Sequence, residues 1–333
     1  MELPNELEMK RDAPGSSAEE AHALLALASL KGVGYWTLFR LKREGISARS
    51  ILETSDGAEV TRTLMRHGAK IRVSGGDWAD ASTRAVERAH RLFDEIENKG
   101  IRIIFPDSPT YPKSLFGLDD PPAWLFVRGD ASVLHEPSIT AVGTRKPSPD
   151  GEWLSRFVGL NFADWKVPTV SGLATGMDQA VHDFSIRMGV PTIAVLGTGI
   201  QTEYPKDSGR IADMIVSEGG VIVTEYLPND SYSGENFVRR NRLQAALGRV
   251  LIPIEWSPKS GTAHTVNYAS TLSRPIAGLR ITDWPDSRVV FPGKSHSNSR
   301  IFTIPRDQDR FFEFVQNALS EPLRARATQP KLL

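Results

Sequence analysis

Three stretches of this 333-residue chain carry residue types suited to holding an anion. Ala141-Val142-Gly143-Thr144-Arg145-Lys146-Pro147 and Ser171-Gly172-Leu173-Ala174-Thr175-Gly176-Met177-Asp178 each run from a short apolar strand signal through a glycine-containing turn into a helical pattern. That arrangement aims backbone N–H groups and a positive helix end at a ligand. Ser148 is a suitable N-cap and Pro149 a suitable first helical residue, so Arg145 and Lys146 sit beside a helix start that is already positive. Two cations there call either for a bound anion or for a neighbouring carboxylate. The third stretch, Phe237-Val238-Arg239-Arg240-Asn241-Arg242-Leu243, crowds three arginines into the first turns of a helix. Either carboxylates such as Glu225 and Glu235 neutralise them, or phosphate does. Phe237 has two readings, a ring that stacks on a base and a ring packed in the core.

Other candidates are less specific. Ser260-Gly261-Thr262 opens a later helix and reads as an anion site or as a plain cap. Asp178 and His182 share one helix face near Ser171; a capping aspartate and a packed histidine account for them without catalysis. Gly197-Thr198-Gly199 extends to no dinucleotide fingerprint, and no phosphate-loop motif is present. The seven histidines show no metal-ligand spacing, and no cofactor is expected.

These residues need a scaffold that brings several turns to one edge. From Ser138 onward, short apolar segments at Ile139–Val142, Thr169–Val170, Thr192–Leu196, Val221–Thr224, Val250–Ile254 and Pro275–Leu279 alternate with amphipathic stretches of helical length. The expected fold is α/β: an extended Rossmann-like, doubly wound, mostly parallel sheet, with ligands beyond the carboxyl ends of its strands. It is preceded by a small all-helical domain in which Lys31-Gly32-Val33-Gly34 joins two helices. That hairpin is either a phosphate-binding helix-hairpin-helix (a SAM-like arrangement) or an ordinary helical corner that uses glycine for positive φ. The expected organisation is a disordered tail over 1–17, the helical domain over 18–98, a lead-in strand and proline-rich connector over 99–137, the Rossmann-like domain over 138–320 and a tail over 321–333.

Composition narrows the partners. Forty acidic residues balance forty basic ones, so any nucleic-acid site is a local patch rather than a global field. The absence of cysteine removes thiol nucleophiles and disulfides and fits a reducing cytoplasm. No signal-peptide pattern or apolar run of spanning length occurs, so no membrane partner is expected and the localisation expected is cytoplasmic.

The motifs in order, Gly143-Thr144-Arg145, Ser171 to Asp178 with His182, Tyr204-Pro205-Lys206, Glu225-Tyr226, Phe237 with Arg240-Asn241-Arg242, and Ser260-Gly261-Thr262, resemble those of the DprA/Smf (DNA-processing protein A) family. The resemblance implies a non-catalytic, usually dimeric protein that binds single-stranded DNA and loads a RecA-type recombinase. Carried over by motif, Gly143, Thr144, Arg145, Lys146, Ser171, Gly172, Gly176 and Lys206 would form the phosphate-binding turns. Arg239, Arg240, Asn241, Arg242, Ser260, Gly261 and Thr262 would line the same pocket, and Phe237 would contact a base. The chain departs from the family pattern at Val181, Val238 and Ala277-Gly278-Leu279, and beyond residue 280, where Trp284 to Arg300 is polar and serine-rich. These departures touch partner surfaces more than the pocket. They leave open a DprA-like role in phage defence that restrains a partner toxin. A nucleotide-binding or nucleoside-monophosphate-cleaving role is a further alternative, against which the signatures of that enzyme group are absent.

Overall fold

A computed structural model describes residues 16–71, 78–206, 208–285, 288–289 and 298–321. The tails expected at 1–17 and 321–333 lie outside these residues apart from their inner edges, as does most of the serine-rich stretch before Arg300. The chain divides into two compact units, Met1–Lys99 and Gly100–Leu333.

The described part of the first unit is all helical: α1 (Ser16–Ala28), α2 (Tyr35–Arg43), α3 (Ala48–Glu53), α4 (Gly57–Arg66) and α5 (Trp78–Asn98). Leu25, Leu27, Leu38, Leu64 and Trp78 form its buried interior. The Gly32 turn is explained by packing. Its φ is +94°, the Lys70 N–H donates to its carbonyl at 2.9 Å, and a Cβ there would collide with the Lys70 backbone. Glycine is therefore needed for a close backbone approach, which is the helical-corner reading.

The second unit is a nine-stranded sheet in the order β1-β2-β6-β5-β4-β3-β7-β8-β9. Its strands are β1 (Ile101–Ile104), β2 (Leu125–Gly129), β3 (Ile139–Val142), β4 (Thr169–Ser171), β5 (Thr192–Val195), β6 (Val221–Thr224), β7 (Val250–Pro253), β8 (Ile276–Ile281) and β9 (Ser299–Ile304). The β1–β2 and β2–β6 pairings are antiparallel and all the others parallel. The proline-rich segment read as a connector thus contributes β2 to the main sheet, and β9, unforeseen in the sequence, extends its other side. The helices are α6 (Pro149–Trp165), α7 (Met177–Arg187), α8 (Gly209–Ser217), α9 (Gly234–Leu247), α10 (Gly261–Thr271) and α11 (Gln308–Ser320).

Residue alternation along the strands sorts these helices onto two faces. Ile139, Ala141, Val250 and Ile252 pack with Leu154, Val158, Val181 and Phe311 of α6, α7 and α11. Val142, Val170, Val195 and Leu251 pack with Leu243, Leu247, Val266 and Ala269 of α9 and α10 on the other face. Most core strands are buried along their whole length, as parallel strands covered on both faces must be. Strand order reverses between β3 and β7. At such a switch point the connections leave to opposite faces and open a crevice at the strands' carboxyl ends.

Candidate nucleic-acid interface

A cavity of about 440 Å³ occupies this crevice. The turn after β3 supplies Gly143, Thr144 and Arg145, the β4–α7 turn supplies Ala174, the start of α7 supplies Asp178, and the starts of α9 and α10 supply Gly234, Phe237, Ser260, Gly261 and Thr262. The helix starts follow from local sequence. The Ser148 hydroxyl accepts from the Gly151 N–H at 3.2 Å, with Pro149 at the first position of α6, and the Ser233 hydroxyl accepts from the Asn236 N–H at 3.0 Å. Residues of the first turns of α9 and α10 line the cavity, so the positive ends of two helix dipoles lie beside it.

The turns are held in place by main-chain contacts. The Thr144 N–H donates to the Glu255 carbonyl at 2.8 Å, and the Met177 N–H to the Thr144 carbonyl at 3.1 Å. Gly176, at φ +89°, lies so close that a Cβ would sit 2.6 Å from the Thr144 oxygen and 2.7 Å from Arg145 carbonyl atoms. No other residue combines that φ with that approach. The side chain of Glu255 accepts from the Ser148 N–H at 2.9 Å, the Ser148 hydroxyl at 2.7 Å and Arg288 Nη2 at 2.8 Å. The Thr262 hydroxyl donates to the Gly143 carbonyl at 3.0 Å, and Asn241 Nδ2 to the Gly261 carbonyl at 3.1 Å.

The three arginines of α9 separate. Arg242 is buried: Nη2 donates to Glu225 Oε2 at 2.7 Å and Nε to Asp120 Oδ1 at 3.0 Å. Arg239 pairs with the same Asp120. These two, expected to line the pocket, instead form an internal ion cluster with the β1–β2 segment and the end of β6. Arg240 is the one that reaches the cavity, where its Nη1 donates to the carbonyls of Gly172 (2.8 Å) and Val195. Burial lowers its pKa to about 10, with Asp178 acting in the opposite sense, so the guanidinium stays charged at neutral pH. Asp178 is itself buried, and burial raises its carboxyl against the opposing pull of Arg240, Ser171, the Ala174 N–H and Arg145. A Cβ on Gly172 would land on both Arg240 Nη1 and Asp178 Oδ2, which explains glycine at this place.

Arg145, which lines the cavity, and its chain neighbour Lys146 are both exposed. The Arg145 guanidinium stands 5.2 Å from the centre of the Phe237 ring and that of Arg240 5.8 Å. Phe237 continues into an aromatic cluster, with Tyr204 5.1 Å away and Tyr232 4.3 Å beyond Tyr204. Tyr232, 55% exposed, had no role in the sequence reading; its signal was the surplus of aromatics around a basic stretch. Lys206, in the turn that carries Tyr204, is exposed and outside the cavity lining.

Other predicted residues serve the scaffold. The Ser171 hydroxyl donates to the Ala141 carbonyl at 2.8 Å, tying β4 to β3. His182 is fully buried with Nδ1 2.8 Å from the Thr192 hydroxyl, and burial pulls its pKa down to about 3, so it is neutral at physiological pH. Ser171 and His182 thus tie the sheet to its neighbouring strand and helix. Among the described residues no group of His, Cys, Asp or Glu is arranged to hold a metal ion, and no helix is long and apolar enough to cross a membrane.

Comparison with known proteins bears on this geometry. Residues 102–291 match the family model described as DNA recombination-mediator protein A. Protein Smf of Synechocystis sp. is 33% identical over 193 residues, which are 57% of this chain and 48% of that protein, so the chain spans about half the length of this relative. DNA processing protein DprA of Streptococcus pneumoniae is 30% identical over 254 residues, 73% of this chain and 86% of that protein. The X-ray structure of the Streptococcus pneumoniae protein superposes with a TM-score of 0.60 at 23% identity, covering 88% of this chain and 97% of that one. DNA processing protein A from Helicobacter pylori, whose structure is described in terms of its single-stranded DNA binding mode, gives 0.55 at 22% identity over 65% of this chain and 96% of that one. A family match across more than half of the chain, centred on the sheet and its switch-point crevice, makes this protein a member of the DNA recombination-mediator protein A (DprA/Smf) family.

Proposed function

We propose that the cavity and its mouth bind single-stranded DNA, in the service of DNA processing and recombination. The observation that carries this reading is the placing of Arg145 and Arg240 5.2 and 5.8 Å from the Phe237 ring, at a crevice where two helices begin. Single-strand binders combine cations that follow the backbone with aromatic faces on which bases stack. In this reading Arg145, Lys146 and Lys206 contact phosphates from the rim, and Phe237, with Tyr204 and Tyr232 behind it, offers a stacking face. The Gly143, Gly172 and Gly176 turns and the Ser260-Gly261-Thr262 helix start let a phosphate approach main-chain N–H groups. The binding mode named for the Helicobacter pylori protein supports the same assignment. Recombinase loading and a homodimer are the finer reading that goes with family membership.

The test is fluorescence anisotropy of labelled oligo-dT across a salt series, for the wild type and Arg145→Ala. Wild-type binding should weaken steeply with salt, and the variant should bind more weakly with a slope reduced by about 0.7 for each lost phosphate contact. Wild type that shows no salt-dependent binding would overturn the proposal.

A further inference from the structure

The helical unit carries cations that its own carboxylates leave alone. Elsewhere in that unit an arginine meets an acid: Arg49 Nε lies 2.6 Å from Glu53 Oε1, and Arg62 Nη2 lies 3.9 Å from Asp56 Oδ2. On α2 the arrangement differs. Its nine residues hold three bases and no acid, with Leu38 and Leu41 among those it buries. Trp36, Arg40 and Arg43, spaced four and then three residues apart, fall on one face and are all exposed. Arg40 and Arg43 form no ion pair among the described residues. Glu44, which follows Arg43 in the chain, is engaged by His67 Nε2 at 3.0 Å instead. Arg40 Nη1 donates to the His67 carbonyl at 3.0 Å, which joins this face to the end of α4, where Arg66 is exposed and also forms no ion pair among the described residues.

The helix dipole accounts for part of this pattern, because cations in a last turn face the negative end of their own helix. It does not account for Trp36. That residue stands in the first turn with its indole 39% exposed, its ring centre 5.3 Å from that of Tyr35 and 5.8 Å from that of Phe39, both edge-on. An exposed ring in line with two cations is what a single strand of nucleic acid calls for, since bases stack on the ring while the cations follow the phosphates. A duplex keeps its base faces inside its own stack and offers none to the indole. An acidic peptide would satisfy the arginines and leave the indole in water.

We propose that the outer face of α2 is a second contact for single-stranded nucleic acid, with Trp36 as the stacking ring and Arg40, Arg43 and Arg66 as phosphate contacts. It belongs to the helical unit and does not depend on the reading of the crevice in the sheet.

The test observes Trp36 directly in the full chain. Intrinsic tryptophan fluorescence is titrated with oligo-dT across a salt series for the wild type, Arg43→Gln and Arg145→Ala, each with and without Trp36→Phe. The difference within each pair isolates one of the seven tryptophans. Stacking should quench this difference signal, with a midpoint that moves to higher strand concentration as salt rises. Arg43→Gln should raise the midpoint and lower its salt slope by about 0.7, the loss of one phosphate contact. Arg145→Ala should leave the midpoint where it is, and a midpoint that follows Arg145 instead would assign the quench to the crevice and overturn the proposal. Equal quenching with and without Trp36→Phe would overturn it, as would a difference signal that ignores Arg43→Gln. A duplex of the same length that quenches as strongly as the single strand would overturn it too. The crevice is tested separately by anisotropy with Arg145→Ala, so failure at α2 leaves that reading untouched.

Discussion

The two sides of α9 meet charge in opposite ways. On one side Arg239 and Arg242 find carboxylates within the fold, Asp120 and Glu225, and Arg242 is buried with its partner. On the other, Arg240 is also buried and donates through Nη1 to two neutral carbonyls, with Asp178 as the carboxylate that favours its charge. Three arginines within four residues look alike in sequence. What separates them is where the counter-charge lies. The first side meets its arginines with carboxylates, whereas the second meets Arg240 with main-chain carbonyls.

That contrast can be tested by removing one group from each class. The largest effect should come from Glu225→Ala, which strands Arg242 without its buried partner; breaking such a pair costs about 3–5 kcal/mol. A denaturant titration should show the midpoint falling with little change in slope, and an unchanged midpoint would mean that the cluster contributes little. A smaller effect should appear with pH at the buried histidine of α7. His182 has a folded pKa of about 3 against an ordinary 6.5, so between these values the unfolded chain holds the extra proton. Its contribution to stability is complete above the ordinary value and is lost as pH falls, by at most about 1.4 kcal/mol per pH unit. Asp178, raised by burial, acts with the opposite sign, losing stability as pH rises through its folded pKa. The comparison with His182→Gln isolates the histidine: the variant's stability should fall less steeply on acidification, and parallel profiles would argue against it. The smallest effect on stability belongs to Lys206→Ala, an exposed cation whose loss should move the melting midpoint within the roughly 0.5 kcal/mol typical of surface changes. If it contacts phosphate, the same variant should lower the oligo-dT salt slope by up to about 0.7. Buried cations of α9 would then cost stability and rim cations would cost binding.

Much of the architecture was legible in the chain, because parallel strands covered on both faces read as short, wholly apolar runs and Gly-Thr-Arg or Ser-Gly turns mark their carboxyl ends. Strands β2 and β9 were harder. Leu125–Gly129 follows Pro121-Pro122 and enters the sheet antiparallel, and Ser299–Ile304 has three poorly buried residues at its start, so neither has the flanks or the apolar continuity of a core strand. Within the site, Arg145 and Phe237 were legible from the helix start that follows one and the basic run that follows the other. The fate of Arg239 and Arg242 was not, because Asp120 lies more than a hundred residues away in the chain and its proximity is a property of the sheet.

Glu255 serves its neighbours through two chemically separate halves: its carbonyl fixes the turn that carries Arg145, and its carboxylate caps α6 and receives Arg288. A substitution at this position can erase the second task but leaves the carbonyl of the first in the chain, since every amino acid brings the same main-chain oxygen. The backbone register of the basic turn is thus insulated from sequence drift at 255, and the α6 cap can weaken or strengthen over evolutionary time without carrying the ligand-facing turn along with it.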